Sequence, residues 1–581
     1  MADDKEDIIE EEGSGTVLRS PIEILKERSQ HLRGTIKETL ESDASHFSED
    51  EYQLLKFHGV YQQDDRDLRV AARKAGRDKE WIMMVRAKIP GGAITGEQYL
   101  QFEDISNKYA DGTLRVTTRQ VFQLHHIGKG NLKATIRGIN DAMITTLGAC
   151  GDVERNLMAC PAPHSDAVHA ELQEHARELS DRTLPTTNAY HEIWLDHEKI
   201  ASTEQEKDPL YGELYMPRKF KSAITVEGDN CVDIYSNDIG IVAHLDGQHV
   251  SGYTFVVGGG MGMTHTDKNT RPRVADPICW VPPDQLVDTF LSIMKVQRDN
   301  GNRISRRQAR LKYLIANNGV ARFKQAMEQW VGHRLADPRE LHWENTGDHL
   351  GWHQQLDGRW FLGVWVENGR IKDVEGLTQK AAFNEVISKF NPGVRLTAQQ
   401  NILFTDIPEN QKGAVEEVLR KHGVPMVDEV PNALRYSMAC PAIPTCGLAL
   451  AESERALPPV IRKIEAVLSE TGLADERLSV RMTGCPNGCA RPFLGDIGFV
   501  GRTPGKYQVY VGGDFEGTTL NRLLADLVPV DQIPDRLRPL FELFRDERQG
   551  KEGFGDFCRR TGVERLRSLA FPEATATAAR R

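Results

Sequence analysis

The chain is short of cysteine, of long apolar runs and of net positive charge. Nine cysteines in 581 residues is too sparse, and odd in number, for a disulfide scaffold. No stretch approaches the roughly 18 uninterrupted apolar residues of a membrane-spanning helix. The formal net charge of −11 argues against nucleic acid as the main partner. Met1 to Gly15 is acidic and has no apolar core, so no secretory signal is read there and a cytoplasmic location is the expectation. A Gly-x-Gly-x-x-Gly fingerprint and a flavin motif are also missing, so NADPH is not expected to bind this chain itself.

What is present is ordinary soluble composition, with 39% hydrophobic and 27% charged residues, in a chain too long for one core. It is also internally repeated. Arg155-Asn-Leu-Met-Ala-Cys-Pro-Ala162 matches Arg435-Tyr-Ser-Met-Ala-Cys-Pro-Ala442 at an offset of 280, which also lays Leu114–Gln120 on Val394–Gln400. Trp81–Val85 falls on Trp360–Val364 at an offset of 279. Asp238-Ile-Gly-Ile-Val242 matches Asp496-Ile-Gly-Phe-Val500 at 258, and Tyr253–Gly259 matches Tyr507–Gly513 at 254. Ordered matches of this kind imply a duplicated α/β module paired about a pseudo-twofold axis. The apolar runs Trp81–Val85, Tyr253–Val257 and Tyr507–Val511 predict strands, and Val460–Leu468 after Pro458-Pro459 predicts a helix.

Four cysteines crowd together: Cys440, Cys446, Cys485 and Cys489, the last two in Thr-Gly-Cys-Pro-Asn-Gly-Cys. Four thiolates can hold a [4Fe–4S] cluster. Zinc is the rival, though the gap between Cys440 and Cys446 is wider than the usual zinc pair; buried, unliganded cysteines are the bland alternative. Cys160 is the counterpart of Cys440 and Cys231 of Cys489, while Asp166 and Glu227 replace the other two. Only the second half therefore offers four thiolates.

The first half has cations instead: Arg86, Arg115, Arg119, Arg155, Arg218, Lys219, Lys221, and a basic run from Arg303 to Lys312. Arg86 and Arg119 become Trp365 and Gln399 in the second half. Cations concentrated in one copy of an acidic protein suggest an anion site; solvated surface faces are the alternative, most of all for the run at Arg303. Strand alternation sends Gln123 and His125 to one face.

These motifs resemble the siroheme sulfite and nitrite reductases, as do Phe57–Asp67, Thr117–Gln120, Pro217–Lys221 and Glu552–Phe557, over roughly residues 50 to 570. The match is nearest the assimilatory sulfite-reducing type partnered by an NADPH-oxidising flavoprotein. The resemblance implies a siroheme joined to the [4Fe–4S] cluster through Cys489, with all four cysteines as iron ligands. It places Arg86, Arg155, Lys219 and Lys221 around sulfite, and Arg115, Arg119, Gln123, His125, Arg218 and Asn487 on siroheme. It implies six-electron reduction of sulfite to sulfide in sulfate assimilation and cysteine biosynthesis, fed by a flavoprotein or a ferredoxin, with neither nucleic acid nor membrane as partner. A siroheme nitrite reductase and a non-catalytic iron–sulfur protein remain as alternatives.

The implied fold is mixed α/β and internally duplicated. We expect an extended arm over 1–75, and a central ferredoxin-like domain from 76–147 and 350–427. We expect a first siroheme and substrate module over 148–349, a second module with the cluster over 428–570, and a disordered tail over 571–581.

Overall fold

A computed structural model describes residues 9–10, 17–186, 192–195, 198–202 and 208–572. Among them are four five-stranded sheets, in two matched pairs.

The central pair is antiparallel throughout. One sheet runs Arg370–Ile371, Leu114–Val116, Phe122–Ile127, Trp81–Arg86, Val60–Asp64; the other runs Gly351–Gln354, Trp360–Val364, Ile402–Ile407, Gly393–Leu396, Ala93–Ile94. Each sheet ends on a short strand lent by the other half. Arg370 pairs with Arg115, and Ala93 pairs with Arg395 at the equivalent register. Glycine permits both crossings. A Cβ on Gly92 would lie 2.4 Å from the Leu396 carbonyl oxygen, and one on Gly369 would lie 2.2 Å from that of Val116.

The outer pair repeats one topology: two parallel pairings followed by two antiparallel ones. The first sheet orders Met158–Ala159, Ser222–Val226, Ile239–Asp246, His249–Val257, Asp276–Val281; the second orders Ser437–Ala439, Val480–Thr483, Ile497–Thr503, Lys506–Val511, Arg522–Pro529. The sequence offsets survive as register. Ser222 faces Ile239 as Val480 faces Ile497, both shifted by 258; Val257 faces Ile239 as Val511 faces Ile497, shifted by 254. Gln120 and Gln400, 280 apart, each clasp the backbone N–H and C=O of an equivalent alanine, Ala159 and Ala439.

Helices cover these sheets, and the second outer module has its own core around Ile461, Ile464, Phe541 and Phe554. The helix there is Leu457–Glu470, so the two prolines lie in its first turn, where a missing N–H costs nothing.

Among the described residues of 1–75, the expected extended arm is not what forms; 1–8 and 11–16 lie outside the described residues. Pro21–Arg28, Ile36–Glu41 and Glu49–Leu55 are helices, the last opened by a capping box from Ser48 and Glu51. Val60–Asp64 is an edge strand of a central sheet, and Leu32, Phe47, Leu54 and Phe57 are buried. The segment looked solvated because much of what it buries is charged: Lys26 reaches Glu23 at 2.5 Å and the Met216 carbonyl at 3.0 Å. Phe571, at the start of the expected tail, is also buried; 573–581 lie outside the described residues.

Candidate functional site

Met261, Gly262 and Met263 run against the loop that carries Cys485 and Cys489. The Met263 N–H donates to the Pro486 carbonyl at 2.8 Å, and Gly488 takes left-handed backbone with φ 63°. A Cβ there would lie 2.8 Å from the Met261 carbonyl oxygen, so glycine lets the two chains touch.

Two adjoining clefts of about 520 and 360 Å³ open beside this seam and share Lys219, Gly262, Arg310 and Asn487. Arg218, Arg306, Arg307 and Lys312 line the first; Arg119, Lys221, Arg491, Asn237 and Cys489 line the second. No carboxylate is among the lining residues of either. Lys219 and Lys221 leave the chain just before Ser222–Val226, and neither has a carboxylate within ion-pair distance among the described residues. Desolvation pulls Lys219 down to about 7, helped by Arg155, Arg218 and Arg310; Lys221 is also pulled well below the usual lysine range, by desolvation and then Lys219. A cavity that crowds unpaired ammonium groups together is one that an anion would stabilise.

Other cations in the walls are held in place. Arg119 donates to the carbonyls of Asn156 and Ser222 and to Asn237 Oδ1. Arg310 reaches Asp238 Oδ2 at 2.6 Å, and Lys312 donates to the Gly262 carbonyl at 2.6 Å. Asp152 anchors Arg306 at 2.7 Å and lies near Arg218 and Lys26, so the N-terminal helix braces the cleft wall.

Arg86 and Arg155 meet around Tyr61, with Gln123 beside Arg86; none of the three is among the lining residues of either cleft, though Arg155 is near enough to Lys219 to shift it. Arg86, Gln123, Arg115 and Arg370 form one cross-strand row and so share a sheet face. Gln123, its amide oxygen turned toward the guanidinium, accepts from Arg86, which also donates to Cys150 Sγ at 2.9 Å. Arg155 donates to the Gly151 carbonyl at 3.1 Å and hydrogen-bonds Tyr61. Glu154 turns the other way, to the Ser222 hydroxyl at 3.1 Å, so the acid does not neutralise its neighbour.

Arg115 and His125 are not brought to the cleft lining. Arg115 is fully buried, ion-paired with Glu454 and donating to the Ala439 carbonyl at 2.7 Å. That carbonyl immediately precedes Cys440. His125 lies beside Arg370, Asp111 and Arg115 with both ring nitrogens unpartnered; burial, then Arg370, hold it well below the usual imidazole range.

Cys440, Cys446, Cys485 and Cys489 converge. Burial pushes the Cys440 thiol up to about 12 and the Cys485 thiol well above the usual thiol range, and each also feels other members of the four. Such thiols ionise when iron binds them. The Gly484 N–H donates to Cys440 Sγ at 3.4 Å, with Ala442 and Ala449 as small neighbours. Arg66 donates to the carbonyls of Cys446 and Ala449 at 3.3 and 2.5 Å, clamping the loop between Cys440 and Cys485. Cys489 alone is exposed, and it lines the cationic cleft. A cluster held by these thiols would border the anion site directly.

Sequence reasoning undervalued Arg310 and Lys312 within the run at Arg303, and missed Arg491. Their separation in sequence from Lys219 hides a role that the fold creates. Arg303 itself is structural, bonded to Glu23 and to the Tyr215 carbonyl.

Residues 175–335 and 432–576 match the nitrite and sulphite reductase 4Fe-4S domain, and 74–142 and 353–422 match the nitrite/sulfite reductase ferredoxin-like half domain. The chain is 44% identical over 548 residues to a protein of Geobacillus thermodenitrificans named sulfite reductase [NADPH] hemoprotein beta-component, covering 94% of this chain and 96% of that one. It is also 44% identical over 570 residues to the sulfite reductase [ferredoxin] of Synechococcus elongatus, covering 95% and 91%. Among solved structures, the Mycobacterium tuberculosis NirA protein superposes with a TM-score of 0.74 at 24% identity, over 94% of this chain and 96% of that one.

Proposed function

The chain belongs to the nitrite and sulphite reductase family, and from that membership we infer that it is an oxidoreductase reducing sulfite to sulfide. The observation that carries the reading is the contact between a four-cysteine site and a cleft walled by cations without a carboxylate, Cys489 belonging to both.

The residues fit an iron–sulfur cluster and a haem-type group, and we take the latter to be siroheme. The convergent thiols suit the cluster. Arg119, Arg218, Asn487 and the flanking lysines suit a macrocycle edged with carboxylates. Arg115, Gln123 and His125 would support that group from behind, through the sheet and the strand leading to Cys440. When bound, the two groups supply single electrons to the sulfur of the substrate. Cys489, the last of the four cysteines and the one facing the cleft, is the thiolate we assign to joining them.

The chain's own part is electrostatic and protonic. Sulfite carries negative charge into a cleft where Lys219, Lys221, Arg155 and Arg86 can meet it, and loss of its oxygens consumes protons. Lys219 holds a proton it can release near neutrality, which suits delivery as S–O bonds break. Tyr61 keeps Arg155 oriented through its hydroxyl.

Electrons come from a donor protein: an NADPH-oxidising flavoprotein, the expectation from the sequence, or a ferredoxin. Among the described residues no helix is long and apolar enough to cross a membrane. The test is to extract the pigment from purified protein and compare turnover of sulfite and nitrite with a chemical reductant, then with each donor protein. Siroheme with sulfite as the better substrate is expected. Cluster iron without a tetrapyrrole would sink the reading; preference for nitrite would shift it to that substrate.

A further inference from the structure

Where the second half gathers its cysteines, the first half holds another set of donors. Cys160 stands at the position of Cys440 and Cys231 at that of Cys489. Asp229 joins them from Gly228–Asp229, and His349 from the segment leading into Gly351–Gln354. One donor atom from each of the four lies within 4.8 Å of the other three, and no other His, Cys, Asp or Glu group among the described residues is gathered so closely. Cys160 Sγ is 3.3 Å from Asp229 Oδ2 and 3.6 Å from His349 Nε2, and these last two atoms are 2.9 Å apart.

The surroundings aim these atoms inward. All four residues are buried. Asp229 Oδ1 accepts the Cys231 N–H at 2.9 Å, which leaves Oδ2 facing the sulfur and the imidazole. Behind Cys160, the His169 ring hydrogen-bonds the sulfur while its Nδ1 is held by Asp166 at 2.7 Å. A carboxylate that orients a histidine behind a ligand is a recurrent support of metal sites. Among the described ion pairs, no lysine or arginine balances Asp229. Two thiols, a carboxylate and an imidazole are desolvated together here, with only the His349 and His169 rings to balance the acidic groups, and a divalent ion would satisfy all four donors at once.

We propose that Cys160, Cys231, Asp229 and His349 bind one zinc ion, separate from the iron–sulfur cluster. Two sulfurs, one nitrogen and one oxygen make a tetrahedral zinc set. Zinc bonds of about 2.3 Å to sulfur and about 2 Å to nitrogen and oxygen require only a small adjustment of the present separations. Four protein donors leave no open position, so the ion acts as a staple. It ties the sheet of the first outer module to the segment that leads into Gly351–Gln354, a strand of the central sheet built mainly from the second half. The site does not depend on which anion the enzyme reduces.

The test uses the holoenzyme, purified without chelators and incubated with zinc, then freed of unbound metal. Elemental analysis should give one zinc per chain beyond the cluster and haem-type iron. Zinc-edge X-ray absorption should show two sulfur scatterers at about 2.3 Å and two nitrogen or oxygen scatterers near 2 Å. Cys231→Ser and His349→Gln should each lose the zinc while iron, acid-labile sulfide and visible absorption stay at wild-type levels. Zinc well below one per chain in the wild type, zinc without sulfur scatterers, zinc retained in full by both variants, or a Cys160–Cys231 disulfide in peptide mapping would overturn the proposal. The absorption measurement needs no variant, so misfolding of a variant cannot rescue it.

Discussion

Asp233 and Arg491 occupy the same position in the two copies, 258 residues apart, and are ion-paired to each other. Both take left-handed backbone, with φ of 49° and 52°. Arg481 reaches the same carboxylate at 2.7 Å. A duplication that began with identical residues has put opposite charges across its axis. Burial raises the Asp233 carboxyl, but the two guanidiniums hold it below its ordinary range.

Asp233→Asn should therefore be strongly destabilising, because it leaves two buried guanidiniums without their anion. A loss of about 3–5 kcal/mol is expected, seen as a lower thermal midpoint and earlier denaturant unfolding at neutral pH. Arg491 also lines the cleft, so its position would loosen as well. An unchanged midpoint would show that the pair across the axis contributes nothing net.

Cys440→Ser should lose cluster iron and acid-labile sulfide, whereas Cys160→Ser should keep both. Only the second repeat has a thiol at all four of these positions, Asp166 and Glu227 standing at two of them in the first, although the two cysteines sit at equivalent places. Equal iron loss in the two variants would mean that the copies share cluster ligation.

Lys219→Ala should lower sulfite turnover by about a hundredfold or more with an artificial electron donor, while the visible bands of the bound pigment persist. The residue lines both clefts and has no carboxylate partner to reorganise. Loss of pigment as the main effect, or normal turnover, would remove it from the substrate site.

Glu154 gives a pH-dependent prediction. Burial raises its carboxyl from 4.5 to about 7, against the pull of Arg119 and Lys88. Its folded value lies above its unfolded one, so its contribution is fully present below about pH 4.5 and is lost as pH rises through about 7. Glu154→Gln, which can keep the bond to Ser222, should flatten the fall of thermal midpoint over that window. A midpoint whose pH slope matched the wild type would exclude Glu154 as its source.

The duplication was legible because strand register conserves spacing: once Met158–Ala159 matches Ser437–Ala439, hydrogen-bond ladders force the neighbours to follow. The cysteine site was legible because its four cysteines come in two pairs from two short stretches with distinctive small residues. Lys219 and Lys221 were legible as a pair because alternate residues of an extended segment share a side. Arg310 and Arg491 were not, since long-range folding alone brings them beside Lys219. Alternation pointed Gln123 and His125 the same way, but nothing local announced that Arg370 and Glu454, from the other half, would surround Arg115. The N-terminal helices were misread because Glu23 and Lys26, surface residues by type, are buried together.

The reciprocal edge strands bear on how the chain folds as it is made. Leu114–Val116 leaves the ribosome early, but Arg370, which completes that sheet beside Arg115, follows only 255 residues later, nearly a full repeat. At elongation rates of about 5–20 residues per second, the delay is on the order of tens of seconds. For that time the first sheet has an open edge, kept to three residues, and its basic residue Arg115 faces no partner strand there. A short, charged edge is a poor template for aggregation, so the nascent first half can wait for its sister without pairing with another chain.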